Sequence, residues 1–272
     1  MQSPYSEEFA AAGLEDKTDA ESSLPILRQG QEELTSEFIA AHAEAPAQQP
    51  SGGDFHKAFP LRDGSGDVAV IIGDVAGHGP EQTEQAEHMR ELLSDCLSLG
   101  LTPAETLTAV NAMIEPDPHF DGFGTVFVGT LKAQTGILTY ASGGHEPALI
   151  AAPDADTSGL VAELEGTGPP VGAFPSEMAR FEQHQTALPE GATLLLYTDG
   201  VSDAHPPYDR KNWLGIERLK KLLVQFVHRP PHRLVSALLE HVSDFCRGRF
   251  GDDVAIMAIR RRLSRSAKTP PK

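Results

Sequence analysis

Helical patterns in this chain arrive in pairs, and runs of strand lie between the pairs. "EQTEQAEHMRELLSDCLSLG" is followed at once by "PAETLTAVNAMI", and later "GIERLKKLLVQFV" by "PHRLVSALLEHVSDFCR", with apolar residues at helical spacing. The strand-like runs are "FHKAFPL", "DVAVIIG", "GTVFVGTLKA", "GILTYAS", "PALIAA", "ARFEQHQTAL" and "ATLLLYT", and "FGDDVAIMAIR" closes the body. A doubly wound parallel sheet would place one helix after every strand. Paired helices between antiparallel-looking hairpins predict an α+β fold instead, with helices layered on antiparallel sheets.

The ends read differently. Residues 1–50, rich in Ala, Glu, Ser, Gln and Pro, are expected to be a low-complexity tail and linker, with one helix-like piece, "EELTSEFIAAHAEA", before the breaker "PAQQPSGG". The folded domain is expected over 51–261, and 262–272 as a basic, disordered tail. A net charge of -17, from 39 acidic and 22 basic side chains, argues against a nucleic-acid ligand. Cys96 and Cys246 both fall in helix-like segments, giving neither a disulfide framework nor a zinc spacing. No N-terminal apolar region and no run long enough to span a bilayer occur, so the expectation is a cytoplasmic protein, neither exported nor inserted.

Acids recur where strands meet glycines. Asp74 ends the apolar run of "IIGDVAGHG", Asp199 repeats the arrangement in "LLLYTDG", Asp252 and Asp253 precede the strand of "FGDDVAIMAI", and Asp54 follows two glycines in "GGDF". Asp74 alone reads equally well as a cap on the following turn. Four such sites at one sheet edge would repel unless a hard divalent cation lay between them, and oxygen donors with little His and no Cys point to Mg²⁺ or Mn²⁺. Two such ions could activate a shared water for in-line attack at phosphorus. "GDVAGHG" lacks the Gly-Lys-Ser/Thr ending of a P-loop and the G-x-G-x-x-G of a dinucleotide fold.

Taken in order, "GGDF", "GDVAGHG", "FGTVFVGTL", "LTYASGGHEPALI", "GTGPPVGAF", "LLLYTDGVSDA" and "FGDDVAIMAI" resemble the SpoIIE/RsbU-type branch of the PPM (PP2C-like) metal-dependent serine/threonine phosphatases over about residues 45 to 261. The resemblance implies a four-layer αββα sandwich, two antiparallel sheets flanked by helix pairs. It implies two Mn²⁺ or Mg²⁺ ions held by Asp54, Asp74, the Val75 carbonyl, Asp199 and Asp252, with Gly73 and Gly200 supplying backbone freedom. Asp253 is expected to face the other way, because neighbours on a strand alternate, and to serve the turn backbone.

The chemistry needs no protein nucleophile, and the chain shows no G-x-S-x-G elbow and no Cys in a basic, exposed setting. His78 is the nearest candidate general acid, against the alternative of a hydrogen-bonding or solvated loop histidine. His145 in "GGHEP" reads as a turn support. Where relatives carry a further acid after "GGDF", this chain has His56 and Lys57; Lys57 either meets substrate phosphate or lies on the outer strand face, the favoured reading. The helix after Gly79 starts unusually polar and is a candidate partner-docking element. The implied substrate is a small phosphorylated STAS-type anti-anti-sigma regulator. The alternatives are a non-catalytic partner-binding protein of the same fold or a small-phosphoester hydrolase.

Overall fold

Runs that alternate in polarity bury one strand face, whereas runs apolar throughout need cover on both. The computed structural model, which describes residues 28–47, 52–77, 79–118, 120–153 and 161–263, shows how this chain meets both demands. Its strands are β1 (Arg28–Glu33), β2 (Phe38–Ala45), β3 (Asp54–Pro60), β4 (Val68–Val75), β5 (Gly124–Leu131), β6 (Ile137–Gly143), β7 (Ala148–Ala151), β8 (Ala162–Leu164), β9 (His184–Ala187), β10 (Thr193–Tyr197) and β11 (Val254–Arg261). Its helices are α1 (Pro80–Ser98), α2 (Pro103–Ile114), the single turn α3 (Asp199–Ser202), α4 (Gly215–Phe226) and α5 (Pro231–Cys246). One sheet runs β1-β2-β11-β10-β7-β8, the other β3-β4-β5-β6-β9, and the paired strands are antiparallel.

Side-chain parity sorts the core into three layers. On β4, Val68, Val70 and Ile72 meet Leu194, Leu196, Met257 and Ile259 across the seam between the sheets. Ala69, Ile71 and Val75 turn outward onto Met89 and Leu93 of α1 and Leu107 and Val110 of α2. On the far side, Leu195, Tyr197, Ile256 and Ala258 pack against Leu219 and Leu223 of α4 and Leu234 and Leu238 of α5. The result is the four-layer αββα sandwich that the resemblance implied.

The N-terminal expectation needs correction. "EELTSEFIAAHAEA" is no helix: it supplies part of β1 and all of β2, and β2 pairs along its length with β11, so the folded body begins by Arg28 rather than at residue 51. Ala41, Ala43 and Ala45 are helix formers by intrinsic propensity, yet here their small side chains let α5 lie close on the sheet. Tertiary pairing overrides local preference. Residues 1–27 and 264–272, the greater part of the two expected tails, lie outside the described residues. No helix among the described residues is long and apolar enough to cross a membrane. The start of α1 is exposed, as its polarity predicted: its first buried residue is Gln85.

Candidate active site

Asp54 opens β3 and Asp74 nearly closes β4, and the register sets them directly opposite one another. Facing residues of an antiparallel pair stand roughly 5 Å apart, so two like charges there oppose folding unless something neutralises them. Both share the parity of Val70 and Ile72 and therefore lie toward the seam. The second sheet completes the mouth. β10 ends at Tyr197, Thr198 caps the turn, and Asp199 starts α3. Asp252 sits in the bend before β11.

Thr198 joins the two halves. Completely buried, it donates its Oγ1 hydrogen to Asp54 Oδ2 at 2.8 Å, and the same oxygen accepts the Ala255 N–H at 3.0 Å. The Asp54 carboxylate of one sheet is thereby fastened to the other, one residue from Asp199. This residue escaped the sequence reading; the available signal was a hydroxyl placed immediately before a strand-end acid, where Ser and Thr commonly bond to nearby groups.

The electrostatics follow from this crowding. Burial, then the charge on Asp74, holds the Asp54 carboxyl well above its ordinary range, with the Thr198 bond opposing the shift. Burial, then Asp199 and Asp252, pushes Asp74 up to about 7. Asp199 is raised by burial and by Asp252 and Asp203. Glu146, beside His145 in "GGHEP" and passed over in the sequence, is raised by burial and by Asp199 and Asp203, which marks it as part of the same field.

Two glycines make the close approaches possible. A Cβ on Gly53 would stand 2.3 Å from the Val75 carbonyl oxygen and 2.5 Å from Asp74 Oδ1, so those oxygens converge on one hollow beside Asp54. A Cβ on Gly200 would stand 2.0 Å from the Asp253 carbonyl oxygen. Neither Gly200 nor Gly73 adopts a positive φ, so their role is space rather than the backbone freedom anticipated for them.

Asp253 combines the anticipated role with an unanticipated place. Its carboxylate accepts the N–H groups of Ala47 and Gly52, both at 2.7 Å, and so serves the backbone leading into Asp54. It does not stand apart from the acids, however: with the seam-side parity of Ala255 and Met257, it adds to the charge felt by Asp54 and Asp74. Lys57 is exposed on the outer face, its Nζ 5.1 Å from the Phe59 ring centroid. His78 lies outside the described residues.

His145 works from behind the mouth rather than on its own turn. Its Nδ1 is 3.0 Å from Thr125 Oγ1, and Thr125 faces Asp74 across the β4–β5 ladder. The ring also approaches the main chain of Tyr197, without a well-formed bond at Nε2. Burial lowers its pKa to about 4, so the ring behind Thr125 is a neutral imidazole.

Among the described residues no three acidic, imidazole or thiolate groups close on a single point. The acids line a mouth instead. Such spacing suits Mg²⁺-like ions, which are commonly held by one or two carboxylates and keep much of their water. The convergence of Asp74 Oδ1 and the Val75 carbonyl, and the uncompensated facing of Asp54 and Asp74, fit such a cation.

Comparison with known proteins gives concordant results. Residues 64–262 match the family model described as stage II sporulation protein E (SpoIIE). Protein IcfG of Synechocystis sp. is 31% identical over 230 residues, covering 74% of this chain and 33% of that protein. Phosphoserine phosphatase RsbU of Bacillus subtilis is 23% identical over 219 residues, 80% of this chain and 62% of the relative. The crystal structure of the RsbU and RsbW domains of Rv1364c from Mycobacterium tuberculosis superposes with a TM-score of 0.71 at 28% identity, over 85% of this chain and 63% of that one. The chain thus spans less than two thirds of the length of each of these relatives.

Proposed function

Because the chain belongs to the SpoIIE family of PP2C-like phosphatase domains, we propose that it is a metal-dependent protein phosphatase acting on phosphoserine or phosphothreonine. The observation that carries this reading is the facing of Asp54 and Asp74 across β3 and β4, with Thr198 tying Asp54 to the strand that leads into Asp199. Phosphatases of the PP2C type are metal-dependent. Asp54, Asp74, Asp199, Asp252 and the Val75 carbonyl are the groups that would hold two Mn²⁺ or Mg²⁺ ions here. Bound there, the ions supply an activated water for in-line attack at phosphorus and neutralise the phosphoryl oxygens.

The chain's own residues do the rest. Thr198 fixes which Asp54 oxygen is free to bind. Gly53 and Gly200 keep the hollow open by bearing no Cβ. His145 supports Thr125, the residue that faces Asp74 from β5, behind the carboxylates. His78, on the loop after Asp74, is the proposed donor of a proton to the departing seryl or threonyl oxygen.

A phosphorylated STAS-type regulator in a partner-switching circuit is the proposed substrate, supported by the similarity to RsbU, which is named a phosphoserine phosphatase. The exposed start of α1 is the proposed contact for a regulatory partner.

The test is p-nitrophenyl phosphate hydrolysis with Mn²⁺, Mg²⁺ or EDTA, beside Asp199→Ala. Turnover is expected with either metal, to vanish in EDTA, and to fall by orders of magnitude in the variant. Hydrolysis that survives chelation would refute the two-metal mechanism.

A further inference from the structure

Between α3 and α4 the chain forms a closed, stiffened loop. Leu214 N–H donates to the Ala204 carbonyl at 2.8 Å, and both residues are buried at the loop's base. Two turns follow inside it, Asp209 N–H to the Pro206 carbonyl at 3.0 Å and Asn212 N–H to the Asp209 carbonyl at 3.1 Å. Arg218 of α4 braces the far end, donating to the Trp213 carbonyl at 2.9 Å and to Asn212 Oδ1 at 2.8 Å, with its guanidinium 5.3 Å from the Phe245 ring centroid. On this frame Trp213 is 58% exposed and Tyr208 85% exposed. Trp213 is the only tryptophan of the chain. A rigid loop that holds large aromatic rings in water matches the character of residues that dominate binding interfaces.

The loop forms one wall of a cavity of about 330 Å³. Trp213, Arg210 and His205 lie on the loop side, Gly200 and Asp252 on the side of the carboxylate mouth. His205 Nδ1 donates to the Pro206 carbonyl at 3.0 Å, which fixes the ring on this wall. We infer that this cavity is a docking subsite for the polypeptide segment that flanks the phosphorylated residue, with an apolar side chain of that segment packed on the Trp213 indole.

Continuity with the mouth fixes the occupant. A chain whose phosphate reaches Asp252 and Gly200 can lay a neighbouring side chain along the wall these residues share with Trp213. The volume accommodates one or two side chains, not a folded element. Arg210 lines the cavity together with Asp203 and Asp252, placing one cation beside two carboxylates. The inference rests on reading the mouth as a phosphatase site.

The experiment compares a phosphoserine nonapeptide, with aliphatic residues on either side of the phosphoserine, against O-phosphoserine and p-nitrophenyl phosphate. The whole chain is expected to prefer the peptide to O-phosphoserine, and Trp213→Ala to lower the ratio of kcat/KM for peptide over p-nitrophenyl phosphate about tenfold. Trp213→Phe, which keeps an apolar ring, should recover most of that ratio. Independently of turnover, the peptide added in EDTA should shift the emission of Trp213 saturably, while O-phosphoserine should not. No peptide preference, an unaltered ratio in Trp213→Ala, or silent emission would overturn the subsite while leaving a metal-dependent phosphatase intact. If no substrate is turned over with either metal, the phosphatase reading fails, and the emission titration still decides whether a peptide docks here.

Discussion

At the scale of single residues, what distinguishes this mouth is the hydroxyl behind the carboxylates. Thr198 satisfies Asp54 Oδ2 and the Ala255 N–H with one oxygen, so removing it strands a buried acceptor and a buried donor together. Thr198→Val is isosteric and is expected to weaken Mn²⁺ binding by about 10- to 100-fold, the usual consequence of losing the partner of a metal-holding carboxylate, the role proposed for Asp54. Thr198→Ser should restore most of the affinity, because the oxygen rather than the methyl group makes both bonds. Calorimetric titration of Mn²⁺ into the two variants reads this directly. Equal affinity in Thr198→Val and the parent would show that Asp54 is positioned by something else. The sequence made the acids legible because a charge at the end of an apolar run is conspicuous. It hid Thr198, since a buried threonine beside a strand resembles any other β-branched residue, and its partner is 144 positions away.

At the scale of elements, the first hairpin decides whether the fold closes. β2 lies between β1 and β11, and its Ala41, Ala43 and Ala45 form part of the floor on which α5 packs. Deleting residues 1–45 would expose the whole β11 edge and leave the α5 face without its floor. The truncated chain is expected to aggregate or to lose its cooperative thermal transition. A cooperative transition near that of the full chain after removal of 1–45 would contradict the packing described here. Both helix pairs and, the three-residue β8 apart, the strands from β3 onward were legible, because apolar periodicity of 3.6 or 2 persists through them. The hairpin was not: alanine satisfies either period, and only pairing with a strand at the other end of the chain settles its conformation.

At the scale of the whole molecule, His145 lies buried in the link from β6 to β7, where the chain passes from one sheet to the other. Its unfolded-state pKa of about 6.5 falls to about 4 in the fold, so the unfolded chain binds more protons between those limits. The stability this group contributes is therefore full above about pH 6.5 and is lost as pH falls toward 4, by on the order of 3 kcal/mol. Asp54 and Asp74 act in the opposite sense without metal, since their raised pKa values favour proton uptake by the folded chain. The expectation is accordingly a difference: His145→Gln should lose less stability than the parent between pH 7 and pH 5, measured by urea denaturation in EDTA. Parallel losses would mean that the imidazole accepts a proton without disturbing the seam.

The pairing of β2 with β11 joins segments more than 200 residues apart. A ribosome making this chain must therefore deliver β11 before the first sheet can close. Until then, β2 lacks its central neighbour and Asp54 lacks the Ala255-anchored Thr198 that holds it. A nascent chain stalled before residue 252 would carry three of the four acids yet have no finished mouth to put them in, so the proposed capacity to bind metal should appear abruptly, once β11 has paired.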